Sequence, residues 1–99
     1  MKTLQPEFKE KIQHITELSM RVNNDDKQKI FAMIKDHVKE IEELYNDCND
    51  HWAMETADLI VLCYELLISE NKDIDDVFTI CLPRFDKKLN MLITKEGNI

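Results

Sequence analysis

Residues 51–70 read HWAMETADLIVLCYELLISE, and this stretch decides the fold. At about 100° per residue, Leu59, Leu62 and Leu66 fall on one side of a helix and Ile60, Tyr64 and Leu67 on the other. The segment is thus apolar nearly all round from Ala57 to Ile68, and both sides need cover, from its own bundle or from a second chain. Its first turns nevertheless carry Glu55 and Asp58, on the side of Leu59 and Leu62. Carboxylates turned toward a covered face are costly unless a cation meets them there.

Upstream, Asn46 to Asp50 is a polar break, with Asn49 or Asp50 as the expected cap of the central helix. Before it, a helix runs from the break Asn23-Asn24-Asp25-Asp26 to about Asn46 or Cys48. Its expected core stripe is Ile30, Met33, Ile34, Val38, Ile41, Leu44, Tyr45 and Cys48. A first helix, Pro6 to Val22, has one apolar stripe through Phe8, Ile12, Ile15, Leu18 and Val22. His14 on that helix and His51 at the start of the central one read as exposed.

Downstream, Asn71-Lys72-Asp73 is a turn, and Asp73 with Asp76 caps a fourth helix bearing Ile74, Val77, Phe78, Ile80, Cys81 and Leu82. Pro83 either kinks that helix or opens a fifth one. Arg84, Phe85, Lys87, Lys88, Leu89 and Leu92 carry the helical rhythm onward with clustered positive charge, and Lys95 to Ile99 reads as a frayed tail. The expectation is a single all-α domain over residues 1–99, a compact bundle of four or five helices with its core at about 5–92. The only glycine, Gly97, excludes glycine-rich phosphate loops, and one glycine with two prolines is too few for a sheet protein.

The net charge of −7 argues against binding nucleic acid or an anionic membrane surface. No apolar run approaches the ~20 residues a membrane span needs, and Met1 to Glu10 has no signal-peptide core. Cys48, Cys63 and Cys81 are odd in number and far apart, so they read as small buried residues of a reducing compartment. A cytoplasmic location is expected.

The chemistry sits in Glu40-x-x-Glu43 and Glu55-x-x-Asp58. Carboxylates three apart share a helix face, and the short break between the two helices makes them antiparallel neighbours. Four converging carboxylates call for a hard cation, Mg²⁺ or Mn²⁺ in its place. No Cys or His stands at a zinc-site spacing. The row Asp36, Glu40, Glu43 and Asp47 can equally be the wet side of its helix, and Glu43 lies well away from the core stripe.

The segments KEIEELYND, METADLIVLCYELL and NKDIDDVFTICLPRFDKKL, from about Val38 to Leu89, resemble the MazG-like all-α nucleoside triphosphate pyrophosphohydrolases, whose signature is E-E-x-x-E, a spacer, then E-x-x-D. The resemblance implies a Mg²⁺-dependent hydrolase that cleaves a (deoxy)nucleoside triphosphate to monophosphate and pyrophosphate. It also implies a homo-oligomer, dimer or tetramer. Its metal ligands and catalytic carboxylates would be Glu40, Glu43, Glu55 and Asp58, with Arg84 at the family's basic position toward the phosphates; Lys87 and Lys88, one turn on, either join it or form a solvated basic face. The chain departs from the signature at Lys39, where the first Glu belongs, and at Glu42, where a small residue is common. The alternative is a helical interaction module that kept the bundle and lost efficient chemistry.

Overall fold

Short polar side chains accept the hydrogen bonds that begin three of the helices. The Asp26 carboxylate accepts from the Gln28 backbone N–H at 2.9 Å and opens α2, Lys27–Asn46. Asp73 does the same for α4, Ile74–Gly97, accepting from the backbone N–H groups of Asp75 and Asp76. The Asn49 side chain accepts from the His51 N–H at 3.0 Å, just before α3, Trp52–Ser69. In α1, Pro6–Val22, Glu7 in the first turn and Arg21 in the last complement the helix dipole. The computed structural model describes residues 6–97; the remainder of the expected core and tail, residue 5 and residues 98–99, lies outside them.

The helix ends share one solution. After α1, Asn24 takes a left-handed φ of 53°, with Asn24 N–H bonded to the Arg21 carbonyl and Asp25 N–H to that of Met20. Cys48 (φ 57°) repeats the pattern after α2, and Asn71 (φ 58°) after α3. These are Schellman caps, which usually place glycine at the left-handed position. With glycine absent from all three, two asparagines and a cysteine take the role.

The fold is all-helical, with four helices and no strand among the described residues. Pro83 lies inside α4, which runs through it without a break, so no fifth helix forms, and the helix extends past residue 95 to Gly97. α3 is the centre: α1 and α2 both pack along it, and their backbones do not meet each other. Two different helices therefore cover α3 in part, and Ile60 stays 49% exposed. α4 approaches α3 at one end only, where Tyr64 and Phe78 meet edge to face at 6.2 Å, and the Lys9–Asp75 ion pair ties it to α1.

The expected compactness is not met. The radius of gyration is 16.5 Å, against about 13 Å for a compact chain of this length. Ile30 is the only fully buried apolar side chain among the described residues. Cys48 and Cys63 are exposed and Cys81 is half-buried, so the burial expected of the cysteines is also absent. Tyr45 and Val38 of the expected α2 stripe are exposed as well. α4 meets the other helices only near its start, so it closes over none of them. No helix among the described residues is long and apolar enough to cross a membrane.

Candidate metal site

The turn from α2 to α3 lays the two helices side by side. Tyr45, in the last turn of α2, meets Trp52, the first residue of α3, edge to face at 5.5 Å. The Thr56 hydroxyl donates back to the Trp52 carbonyl at 2.8 Å. Beyond this corner, Glu55 and Asp58 are one turn apart on α3, as the spacing requires.

Glu55 sits between two histidines. Its Oε2 is 3.3 Å from His37 Nε2 on α2, and its Oε1 is 3.1 Å from His51 Nε2, one turn back along its own chain. The Glu55 side chain is 14% exposed and that of His37 24%, whereas His51 is 57% exposed. His37, Glu55 and Asp58 each offer a ligand atom, all within 4.8 Å of one another; Asp58 is exposed, so the covered face expected for both carboxylates holds for Glu55 alone. Two oxygen donors and one imidazole nitrogen thus converge where α2 crosses α3.

The remaining expected site residues are more dispersed. Glu40 and Glu43 are exposed on α2 and do not join the cluster around Glu55. Arg84, Lys87 and Lys88 are exposed on α4, and none has an ion-pair partner among the described residues. Lys87 borders a shallow groove along α4 with Asp86, Asn90, Met91, Thr94 and Lys95, which contains none of the four carboxylates.

Glu55 and Asp58 suit Mg²⁺, which takes hard oxygen ligands and keeps several waters. The imidazole of His37 is a softer donor that the E-x-x-E and E-x-x-D patterns do not include. His37 lies one turn before Glu40, so the spacing H-x-x-E is its sequence trace. That spacing is short and common, and only the rotation of α2 on α3 turns His37 toward Glu55.

A second polar feature lies deeper in α3. Glu65 is 1% exposed and its Oε1 has no hydrogen-bond partner among the described residues. Thr16 on α1 is fully buried, and its hydroxyl also lacks a partner there. Compared with known protein families, curated proteins and solved structures, the chain matches none.

Proposed function

We propose that the chain is a divalent-metal-dependent nucleotide pyrophosphohydrolase, cleaving a (deoxy)nucleoside triphosphate to monophosphate and pyrophosphate. The observation that carries this reading is the pair Glu55 and Asp58, displayed on one face of the central helix where α2 crosses it. The order of the two acidic motifs and the basic residues downstream agree with it. Glu55 and Asp58 would hold Mg²⁺, or Mn²⁺ in its place; Glu40 and Glu43, exposed on α2 outside the cluster, would join only through a rotation of that helix or a second chain. The chemistry such an ion would supply there is charge screening of the triphosphate and polarisation of its phosphorus–oxygen bonds. Arg84, with Lys87 and Lys88, lies on the part of α4 that extends away from the cluster, so in this reading these residues would reach the phosphates from the α4 of a second copy.

The reading includes a homo-oligomer, and the surface supports it. The chain exposes 8178 Å², about 2,300 Å² more than is usual for a folded monomer of its mass. A standard interface removes about 800 Å² from each partner. Phe78, Leu82, Phe85, Leu89 and Leu92 form an exposed stripe on α4 at alternating spacings of four and three. That spacing suits the side of another helix.

The test is pyrophosphate release from a panel of canonical and damaged triphosphates, with Mg²⁺, with Mn²⁺ and with EDTA. Metal-dependent release from any member supports the reading, and Glu55→Gln or Asp58→Asn is expected to abolish it with helix content unchanged. Full activity in both variants would overturn the assigned site.

A second reading has its own observation, the separation of Glu40 and Glu43 from the cluster. On that reading the chain is a non-catalytic helical interaction module. It predicts that Mg²⁺ and Mn²⁺ leave the melting temperature unchanged, because an ion bound only by the folded state must raise it.

A further inference from the structure

His37 has both ring nitrogens engaged, in a way that fixes what can lie beside it. Its Nδ1 is 2.8 Å from the Met33 carbonyl oxygen. A carbonyl only accepts, so Nδ1 carries a hydrogen and the neutral ring presents a lone pair at Nε2. That nitrogen faces Glu55 Oε2 at 3.3 Å, and an ionised carboxylate is likewise acceptor-only. Two lone pairs at this distance require positive charge between them. A proton on Nε2 or a metal ion would supply it, and the exposed Asp58 carboxylate, with a ligand oxygen within 4.8 Å of both atoms, adds a third donor for a metal ion.

We infer that His37, Glu55 and Asp58 form a nitrogen–oxygen–oxygen site for a divalent transition ion, such as Zn²⁺ or Co²⁺, in preference to Mg²⁺. Imidazole suits these ions, whereas Mg²⁺ favours oxygen alone. Two donors about 2.0–2.1 Å from a tetrahedral ion lie ~3.3 Å apart, matching the separation of His37 Nε2 and Glu55 Oε2. The hydrogen bond from Nδ1 to a backbone carbonyl is the usual support of a metal-ligating histidine, holding the ring and its tautomer. His51 lies against the other oxygen of Glu55, on the exposed side, and acts as a positioning residue for that carboxylate. The inference rests on the proposed function only for the use of a divalent ion at Glu55 and Asp58.

The experiment titrates the full chain and its His37→Gln, His51→Gln and Glu55→Gln variants with Zn²⁺, Co²⁺ and Mg²⁺ separately, by calorimetry and by the Co²⁺ absorption spectrum. Circular dichroism verifies helix content in each. Zn²⁺ and Co²⁺ are expected to bind the native chain more tightly than Mg²⁺. His37→Gln is expected to weaken them by about tenfold or more and leave Mg²⁺ affinity nearly unchanged. Glu55→Gln weakens all three, and His51→Gln falls between native and His37→Gln. An equal loss for every ion, no loss in His37→Gln, or a thiolate charge-transfer band from cysteine ligation would overturn the inference. Mg²⁺-dependent pyrophosphate release with no His37-dependent selectivity removes this inference and leaves the proposed function. Selective Zn²⁺ and Co²⁺ binding without pyrophosphate release does the reverse.

Discussion

The rings of Tyr45 and Trp52 meet edge to face at 5.5 Å and 76°, joining the last turn of α2 to the first of α3. They sit beside the left-handed cap at Cys48, so together they set the angle at which α2 lies on α3. That angle decides which residue of α2 meets Glu55. Aromatic pairs of this geometry contribute about 0.5–1.5 kcal/mol beyond buried area. A double-mutant cycle of Tyr45→Leu and Trp52→Leu, read by urea unfolding, is expected to give a coupling of about 1 kcal/mol. A coupling indistinguishable from zero would show that the corner is held by its backbone alone.

Cys48 offers a stabilising change at the same corner. Its φ of 57° is left-handed, a conformation that costs a residue with a β-carbon roughly 1–2 kcal/mol. Its side chain is exposed, so little packing is lost on removing it. Cys48→Gly is expected to raise the unfolding free energy by about 1 kcal/mol, with Cys48→Ala giving no such gain. The chemical-denaturation midpoints of the two variants check this directly.

The helices were legible because their ends are written in short polar residues. Asp73 reads as a cap from sequence and accepts the hydrogen bonds expected of it, and within the polar break 23–26 it is Asp26 that takes the capping role. The central place of α3 was legible from its two apolar sides. Burial was harder, because periodicity marks a stripe as fit for covering and says nothing of which element covers it. That is why Cys48, Val38 and Tyr45 look like core residues in the sequence and lie exposed in the chain. His37 was hidden for a related reason. It shares the acidic side of α2 with Glu40, and a modest rotation of the helix decides which of them meets Glu55.

Glu65 is a buried carboxylate whose Oε1 lacks a partner among the described residues, on the most apolar helix of the chain. Leaving such a group unsatisfied costs about 1–3 kcal/mol. Glu65→Met keeps the length of the side chain and removes the polar atoms, so it is expected to stabilise the fold by an amount in that range. Thermal and urea unfolding of the variant measure it. A destabilised Glu65→Met protein would mean that the carboxylate is satisfied in solution, and the prediction would fail.

The Lys9–Asp75 ion pair links α1 to α4 near the α3–α4 corner. The hydrogen bond from Lys9 to the Asp75 carboxylate raises the lysine's pKa above its ordinary 10.5, against a loss of hydration and with the Asp75 and Asp73 charges adding to the rise. A raised lysine contributes its stabilisation fully below the unfolded value and loses it as pH climbs through the folded one. The pair is therefore intact at neutral pH and released only above about 10.5. Titration of the Lys9 side chain by NMR is expected to show the upward displacement, and Asp75→Asn to remove most of it. Screening by salt should shrink the displacement, since both groups are exposed.

Leu89 tests whether α4 is covered by a second copy of the chain. It is 52% exposed and lies in the middle of the stripe that runs from Phe78 to Leu92. A single chain with so thin a core has little to hold it together, because stability in a small domain comes from buried apolar area. Association through the stripe would supply that area and tie folding to protein concentration. Sedimentation is expected to show a dimer or larger species, with a melting temperature that rises with concentration. Leu89→Asp puts a charge in the stripe and is expected to shift the species toward monomer and lower the melting temperature. Asn90→Asp, one residue away with its side chain already bonded to the Asp86 carbonyl, adds the same charge off the stripe and is expected to change association little. A wild-type chain that sediments as a monomer, with a melting temperature independent of concentration, would remove the oligomer from the proposed function and leave α4 an exposed arm.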